Sequence, residues 1–261
     1  MEVNKQMLIS ITEKCRMGCT HCMDNATPEG NNMTMETFKD TVNFFNSYGA
    51  LEFIITGGEP TENPKCCDMI EYAINNVKDK IFGLAHITLA TNAMNIIGNK
   101  ELQDRLLELI KASNGALSIQ VTYVPEYYPI KMDFSEDFFK NEAVVVCNKI
   151  ESMYPLGRAR DNNIPYQAKA SRCFNIRSMI RSTDSIYQST FALAIRAKFC
   201  TPRINYNGDI KLGESRLCPT VATIYDSEEV IIDKIKNFRC GQCDILNKKL
   251  PDKYLKAIGE L

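Results

Sequence analysis

The sequence has no long apolar run. A helix that crosses a bilayer needs about 20 mostly apolar residues in a row, and no stretch of these 261 residues approaches that. It also lacks an excess of one charge: 31 Lys and Arg stand against 32 Asp and Glu, for a net −1. The molecule as a whole therefore has no electrostatic bias toward nucleic acid or a membrane surface. The opening residues, MEVNKQMLIS, lack the basic segment and apolar core of a secretory signal. A cytoplasmic protein without membrane or nucleic-acid partners is expected. No internal repeat and no low-complexity linker is visible. That leaves one large domain, or a main domain with a small annex.

Cysteine, in contrast, is plentiful, with eleven in the chain. A reducing cytosol disfavours disulfides. Isolated cysteines are usually buried thiols, whereas clusters point to metal or redox work. CRMGCTHC at 15–22 places Cys15, Cys19 and Cys22 within eight positions. Cys200, Cys218, Cys240 and Cys243 gather in the last quarter, the final pair as CGQC. Cys66, Cys67 and Cys147 fall in expected helices and read as structural.

Strand and helix patterns alternate through the first 124 residues. MLISIT (7–12) reads as a strand, and Met35, Phe38, Val42 and Phe45 recur at helical spacing across 34–48. LEFIITGGEP is a strand and a Gly-rich loop, followed by a helix over about 64–78. HITLATN (86–92), a helix over 101–113 and ALSIQVTY (116–123) continue the rhythm. This βαβα order argues for a parallel sheet or barrel with helices outside. One parity of the later strands is polar: His86, Thr88 and Asn92, then Ser118, Gln120 and Thr122. Such a face suits a lumen holding a polar ligand, or groups that satisfy one another in a filled barrel. Beyond this, 134–150 reads as a helix, 150–160 as a strand and turn, and RINYNGDIKL as a hairpin turning at Asn207-Gly208. A helix is expected from about residue 251. The stretch 151–203 holds nine basic and three acidic residues. A solvated basic face is the commoner explanation, and a surface for an anionic substrate or partner is the other.

Thiolates at C-x₃-C-x₂-C spacing on a loop just after a strand can wrap one side of an iron–sulfur cube. Such clusters normally take four cysteines. Three leave one iron open, and an open position is what separates catalytic from structural metal sites. His21 sits between Cys19 and Cys22, too cramped to complete a zinc site with them.

CRMGCTHC resembles the C-x₃-C-x-Φ-C signature of the radical S-adenosylmethionine (radical SAM) superfamily, with His21 at the usually aromatic position. TGGEP (56–60), at the end of the second strand, is similar to that superfamily's GGEP motif. The resemblance covers 7–124 well and 125–160 loosely. It implies an α/β fold, a partial (β/α) TIM-like barrel of radical SAM type. It implies that Cys15, Cys19 and Cys22 hold a 4Fe-4S cluster whose fourth iron is chelated by S-adenosylmethionine. Gly57, Gly58 and Glu59 would let the backbone approach the methionyl amino group, Thr91 and Asn92 would lie beside the cofactor, and Gln120 and Thr122 near the ribose. A flavodoxin- or ferredoxin-type donor would supply the electron. Cleavage of the sulfonium would then yield a 5′-deoxyadenosyl radical that abstracts hydrogen from substrate.

The C-terminal cysteines, with the GRA of YPLGRAR (154–160) before them, resemble a Twitch domain, the short relative of the SPASM domain. This implies a small C-terminal β-hairpin/helix domain in which Cys200, Cys218, Cys240 and Cys243 bind an auxiliary 4Fe-4S cluster. The resulting division is a barrel over 1–160, a basic connection over 161–199 and an auxiliary domain over 200–261. The family carries its second cysteine where this chain has Gly213, five residues before Cys218. Cys173 is the alternative ligand, and a zinc ribbon-like site or free thiols are the alternative readings. The commonest role of the group is modification of ribosomal peptides or proteins. With the first strand expected near residue 7, no leader-binding domain is expected ahead of it, and a separate peptide-recognition protein, or recognition through 151–203, is the expectation. A small-molecule dehydrogenase of sugar or aminocyclitol type is the alternative, and a non-enzymatic Fe-S electron carrier is the rival from another class. No side chain stands out as a catalytic acid, base or hydrogen donor. Tyr123, Tyr127 and Tyr128, near the exit of the fourth strand, suit aromatic packing or substrate contact.

Overall fold

The structure is a computed structural model of the chain. It describes residues 6–48, 52–78, 85–150, 152–153, 156–165, 167–168, 202–213 and 215–237. The elements in chain order are β1 (Gln6–Ser10), α1 (Met35–Tyr48), β2 (Glu52–Thr56), α2 (Cys66–Asn76), β3 (His86–Thr91), α3 (Lys100–Ala112), β4 (Leu117–Thr122) and β5 (Val144–Cys147). They continue with β6 (Ser152–Met153), α4 (Gly157–Asp161), β7 (Gln167–Ala168), β8 (Pro202–Ile204), β9 (Asp209–Leu212), β10 (Thr220–Thr223) and α5 (Glu228–Asn237).

Local chemistry starts the helices. The Thr34 hydroxyl accepts from Thr37 N–H at 3.1 Å ahead of α1, and the Asn99 side chain accepts from Leu102 N–H at 3.1 Å ahead of α3. Each satisfies one of the first amides, which have no partner inside the helix. The apolar stripe of α1 then packs inward, and Phe38, Val42 and Phe45 are fully buried. Phe53 of β2 meets Phe38 and Phe45 edge-on, at 5.8 and 5.0 Å between ring centres. Burial contributes roughly 1.5–3 kcal/mol for each such ring.

The main sheet runs β10-β9-β8-β1-β2-β3-β4-β5. Strands β1 to β5 are parallel neighbours. The fold is α/β with a mostly parallel sheet. Period-two alternation sends Met7 and Ile9, Phe53 and Ile55, Ile87 and Leu89, Ile119 and Val121 into the core that also holds residues of the three helices. The other parity carries polar groups beside Leu8, Ile54 and Ala90, as expected for β3 and β4, and these groups divide in two. Toward the strand starts its groups bond one another: Gln6 Nε2 donates to Glu52 at 2.6 Å, Thr88 Oγ1 donates to Glu52 at 2.9 Å, and His86 Nε2 lies 2.9 Å from Ser118 Oγ. Toward the strand ends the same face opens into a cavity.

RINYNGDIKL is a hairpin. Strands β8 and β9 are antiparallel, and Gly208 takes a φ of +85° in the turn, a value that favours glycine. Strand β8 also pairs in parallel with β1, matching Leu8 with Arg203 and Ile9 with Ile204, so the hairpin extends the same sheet.

Three expectations change. Residues 134–150 are not a helix: a short 3₁₀ turn at Asp137–Lys140 leads into β5. The β-branched run Val144–Val146 prefers a pleated surface and finds a partner in β4. Cys147 consequently ends a strand rather than lying in a helix. In 150–160 the strand is the two-residue β6, and Gly157 opens the short helix α4. Helix α5 was not expected. The helix anticipated from residue 251 lies outside the described residues. Among the described residues no helix is long and apolar enough to cross a membrane.

Candidate cofactor site at the strand ends

The loop over 11–32 begins where β1 stops. It folds back on itself, with Glu13 N–H donating to Asn31 O at 2.9 Å and Cys15 N–H to Thr27 O at 2.7 Å. Gly18, with φ +69°, turns the chain between Cys15 and Cys19. The three thiols line one cavity of about 280 Å³. Its other walls include His21, Met23, Asp24, Gly57, Gly58, Thr91, Asn92, Thr122, Tyr128 and Arg158. Among the described residues, no three His, Cys, Asp or Glu side chains converge on a point that would hold one metal ion. The thiols instead stand around a space.

The glycines of TGGEP serve the loop as well as the cavity. A Cβ on Gly57 would lie 2.5 Å from Thr12 O, and one on Gly58 would lie 2.3 Å from Lys14 O. Hydrogen bonds run through this gap, Gly58 N–H to Thr12 O at 2.8 Å and Glu59 N–H to Lys14 O at 2.7 Å. The missing side chains thus admit the backbone that leads into Cys15.

Glu59 does not face the cavity. It is fully buried, and its carboxylate accepts from Thr61 Oγ1 and Thr91 Oγ1 at 2.6 Å, Asn92 N–H at 2.8 Å and Thr61 N–H at 3.2 Å. Burial raises its pKa, while the four donors favour the charged form. Its work is positional: it joins the end of β2 to the end of β3. Asn92 in turn reaches Cys15, with Nδ2 3.6 Å from Sγ. Thr91, Asn92 and Thr122 line the cavity. Gln120 shares the parity of Thr122, is exposed and is not among the residues that line the cavity.

Burial also sets the titration of the walls. It pushes the Cys15 thiol up to about 11 and Cys19 up to about 12, with the Arg158 guanidinium pulling Cys19 back. Burial holds His21 down at about 4. The ring of His21 lies 5.2 Å from Tyr127 and 5.4 Å from Tyr128. Tyr128 donates to Thr122 O and contributes to the wall, while Tyr123 accepts from Met132 N–H at 3.1 Å within aromatic packing.

The basic stretch is not uniformly solvated. Arg203 is buried, with Nη2 2.8 Å from Asp24 and 3.0 Å from Ser10. Arg158 turns inward to the cysteine loop. Asp24 and Arg216 were missed in the sequence. Their partners lie 179 to 203 residues away, and no local pattern marks them. Arg158 belongs to the GRA stretch, the one local signal available.

Cys218 is buried beside Leu156 and Met23. Its sulfur lies 2.3 Å from where a Cβ on Gly213 would stand. Cys173, Cys200, Cys240 and Cys243 lie outside the described residues.

A parallel α/β sheet with three thiols around a cavity at its strand ends defines the class. The chain belongs to the Radical SAM superfamily, whose family profile matches residues 9–141. It is 32% identical over 123 residues to human molybdenum cofactor biosynthesis protein 1, a match covering 45% of this chain and 18% of that protein. It is 31% identical over 80 residues to the antilisterial bacteriocin subtilosin biosynthesis protein AlbA of Bacillus subtilis (strain 168), covering 30% of this chain and 18% of that one. The chain thus spans less than a fifth of the length of either relative. In fold it is similar to BtrN in complex with AdoMet and 2-DOIA, at a TM-score of 0.56 and 14% identity, over 94% of this chain and 87% of that one.

Proposed function

We propose that the chain is a radical SAM enzyme, with Cys15, Cys19 and Cys22 as ligands of a 4Fe-4S cluster. The observation that carries this is the three thiols around one cavity at the strand ends. The residues fit such a group. Thiols with raised pKa must lose protons to become ligands, and cluster iron supplies the compensating charge. A cluster held there with S-adenosylmethionine would supply one-electron reductive cleavage of the sulfonium, the source of the radical that abstracts hydrogen. The chain's own residues bind, orient and exclude water. Glu59 fixes Thr91 and Asn92, Asn92 steadies Cys15, and the Tyr128 and His21 rings close one wall. Thr122, on the cavity wall, would face the ribose, as the family resemblance implies. A flavodoxin- or ferredoxin-type protein would donate the electron.

The test is anaerobic reconstitution followed by dithionite and S-adenosylmethionine. Formation of 5′-deoxyadenosine is expected, and none from fully loaded protein would overturn the reading.

A second cluster belongs to the same proposal, with Cys200, Cys218, Cys240 and Cys243 as ligands. The Cys218 thiol occupies the space beside Gly213, where Twitch sequences carry their cysteine, which supports Cys218 over Cys173. A Cys15/Cys19/Cys22→Ala variant should retain about four irons. Near-zero iron would remove the second cluster.

For the substrate, the sequence matches do not point to one reaction: one is to a cofactor-biosynthesis protein and another to a bacteriocin-biosynthesis protein. Modification of a ribosomal peptide or protein is the favoured reading. Dehydrogenation of a small molecule of sugar or aminocyclitol type is the second. Its support is the fold likeness to BtrN, which extends over nearly the whole of both chains. Incubation with peptides encoded beside the gene, read by mass spectrometry, separates the two.

A further inference from the structure

The segment after Cys22 is held almost entirely by residues from far along the chain. Ser215 Oγ donates to Met23 O at 2.8 Å, and Arg216 donates through Nε to Asp24 O and through Nη2 to Asn25 O at 2.9 Å. Arg158 takes a different place, because it reaches back between the cysteines. Its Nε donates to Cys19 O at 2.8 Å and its Nη1 to Ala26 O at 2.9 Å. One planar fork therefore ties the turn carrying Cys19 to the turn beyond Cys22. Asn162, just past α4, adds a third contact, Nδ2 to Thr20 O at 2.9 Å.

The approach is backbone to backbone. Gly157 has a φ of +51°, and a Cβ there would lie 2.8 Å from both Cys22 O and Met23 O. Glycine at the start of α4 is what lets Arg158 come so near. Arg158 also lines the cavity, with its guanidinium at the Cys19 carbonyl.

We propose that Arg158 is a positioning residue for the iron–sulfur cluster: it locks the Cys19 turn and holds a fixed positive charge beside it, so that the cluster is better retained and more easily reduced. The bonds to two carbonyls need the rigid fork of a guanidinium. The charge acts through a partly desolvated wall, where it is less screened than at an open surface. A cation beside a cluster favours the state with one more electron. The proposal rests on the cluster of the family alone. It is independent of the substrate and of the C-terminal cysteines, and its failure would leave the 5′-deoxyadenosine test untouched.

The experiment compares reconstituted wild type with Arg158→Gln and Arg158→Lys. It reads iron release to a chelator and the reduced fraction in a redox titration followed by electron paramagnetic resonance. All three proteins carry Cys200→Ala and Cys240→Ala, so that only the first cluster is seen. Arg158→Gln should lower the ratio of reduced to oxidised cluster at a fixed potential about three- to tenfold, tenfold being about 59 mV for one electron. Arg158→Lys keeps the charge but not the fork. It should stay within about threefold of wild type in the titration and release iron faster. An unchanged ratio in Arg158→Gln overturns the proposal, as does a lysine variant that titrates like the glutamine one. If neither variant loads iron while both melt like wild type, the contact serves the cluster rather than the fold, which supports it. Variants that lose iron only because they unfold overturn it in favour of a purely structural contact.

Discussion

Replacing Glu59 by Gln tests the link from sheet to cluster loop with a change of one atom. The carboxylate is buried and receives four donors, two of them backbone amides, Thr61 N–H and Asn92 N–H. Thr61 N–H, Thr61 Oγ1 and Thr91 Oγ1 point to Oε1, and Asn92 N–H points to Oε2. A glutamine keeps one acceptor oxygen. If that oxygen takes the Oε1 place, the new NH₂ faces Asn92 N–H, donor against donor. If the amide flips, the two threonine hydroxyls can rotate to accept, but Thr61 N–H is left without an acceptor. Either orientation orphans one backbone amide. Such a loss costs roughly 1–3 kcal/mol, and the charge assistance of the remaining bonds is lost as well. A destabilisation of about 2 kcal/mol should lower Tm by roughly 4–8 °C for a domain of this size. The assay is thermal unfolding of the metal-free protein by circular dichroism, with iron per chain after reconstitution as the second reading. Iron should also fall, since Asn92 carries the donor to Cys15. A Glu59→Gln protein that melts within about 1 °C of wild type would refute the reasoning, because about 0.5 kcal/mol or less is no more than an ordinary surface change.

Gly58→Ala should impair iron loading more than Gly18→Ala. The first Cβ would meet Lys14 O at 2.3 Å and push the backbone ahead of Cys15, whereas nothing stands within 4 Å of the second and only its φ of +69° is strained. Equal iron contents would contradict this. His21 is held neutral down to about pH 4, against an ordinary value of 6.5. Between those values the unfolded chain binds a proton that the folded one refuses, so the metal-free protein loses stability as pH falls through that window. Denaturant titrations at pH 7 and 4.5 should show a larger drop for wild type than for His21→Phe, and parallel drops would refute the assignment. Arg203→Met leaves Asp24 short of its buried partner, and should cost about 3 kcal/mol, the low end for such pairs, since Arg216 N–H still donates to Asp24 at 2.7 Å. A loss under about 1 kcal/mol in urea unfolding would show that the pair is not stabilising.

Local features were legible wherever local chemistry decides. Periodicity located α1, α2 and α3 and the four strands β1 to β4 within a few residues. The turn at Asn207-Gly208 followed from residues that accept positive φ. The run AVVVC misled because apolar residues in a short stretch fit helix or strand equally, and only pairing with β4 chose between them. The inward role of Arg158 and Arg203 was hidden for a related reason. Charge counted along the chain does not say which side chains turn toward carbonyls and carboxylates 132 to 179 residues away.

The sequence by itself determined the chemistry of the site. Three cysteines at fixed spacing after a strand, and a Gly-Gly-Glu turn after the next, are contiguous patterns, and they already mark the thiols proposed as ligands and the turns that carry them. Tertiary structure alone decided what holds those ligands. It made Glu59 a buried tie between two strand ends, gave Gly57 and Gly58 the backbone of the cysteine loop as neighbour and brought Arg158 to Cys19. The reason is physical. Spacing along a chain fixes which atoms can be close within one turn or strand, whereas contacts between distant segments depend on how sheet, loop and helix pack, and each such contact is a joint property of residues that share no local pattern.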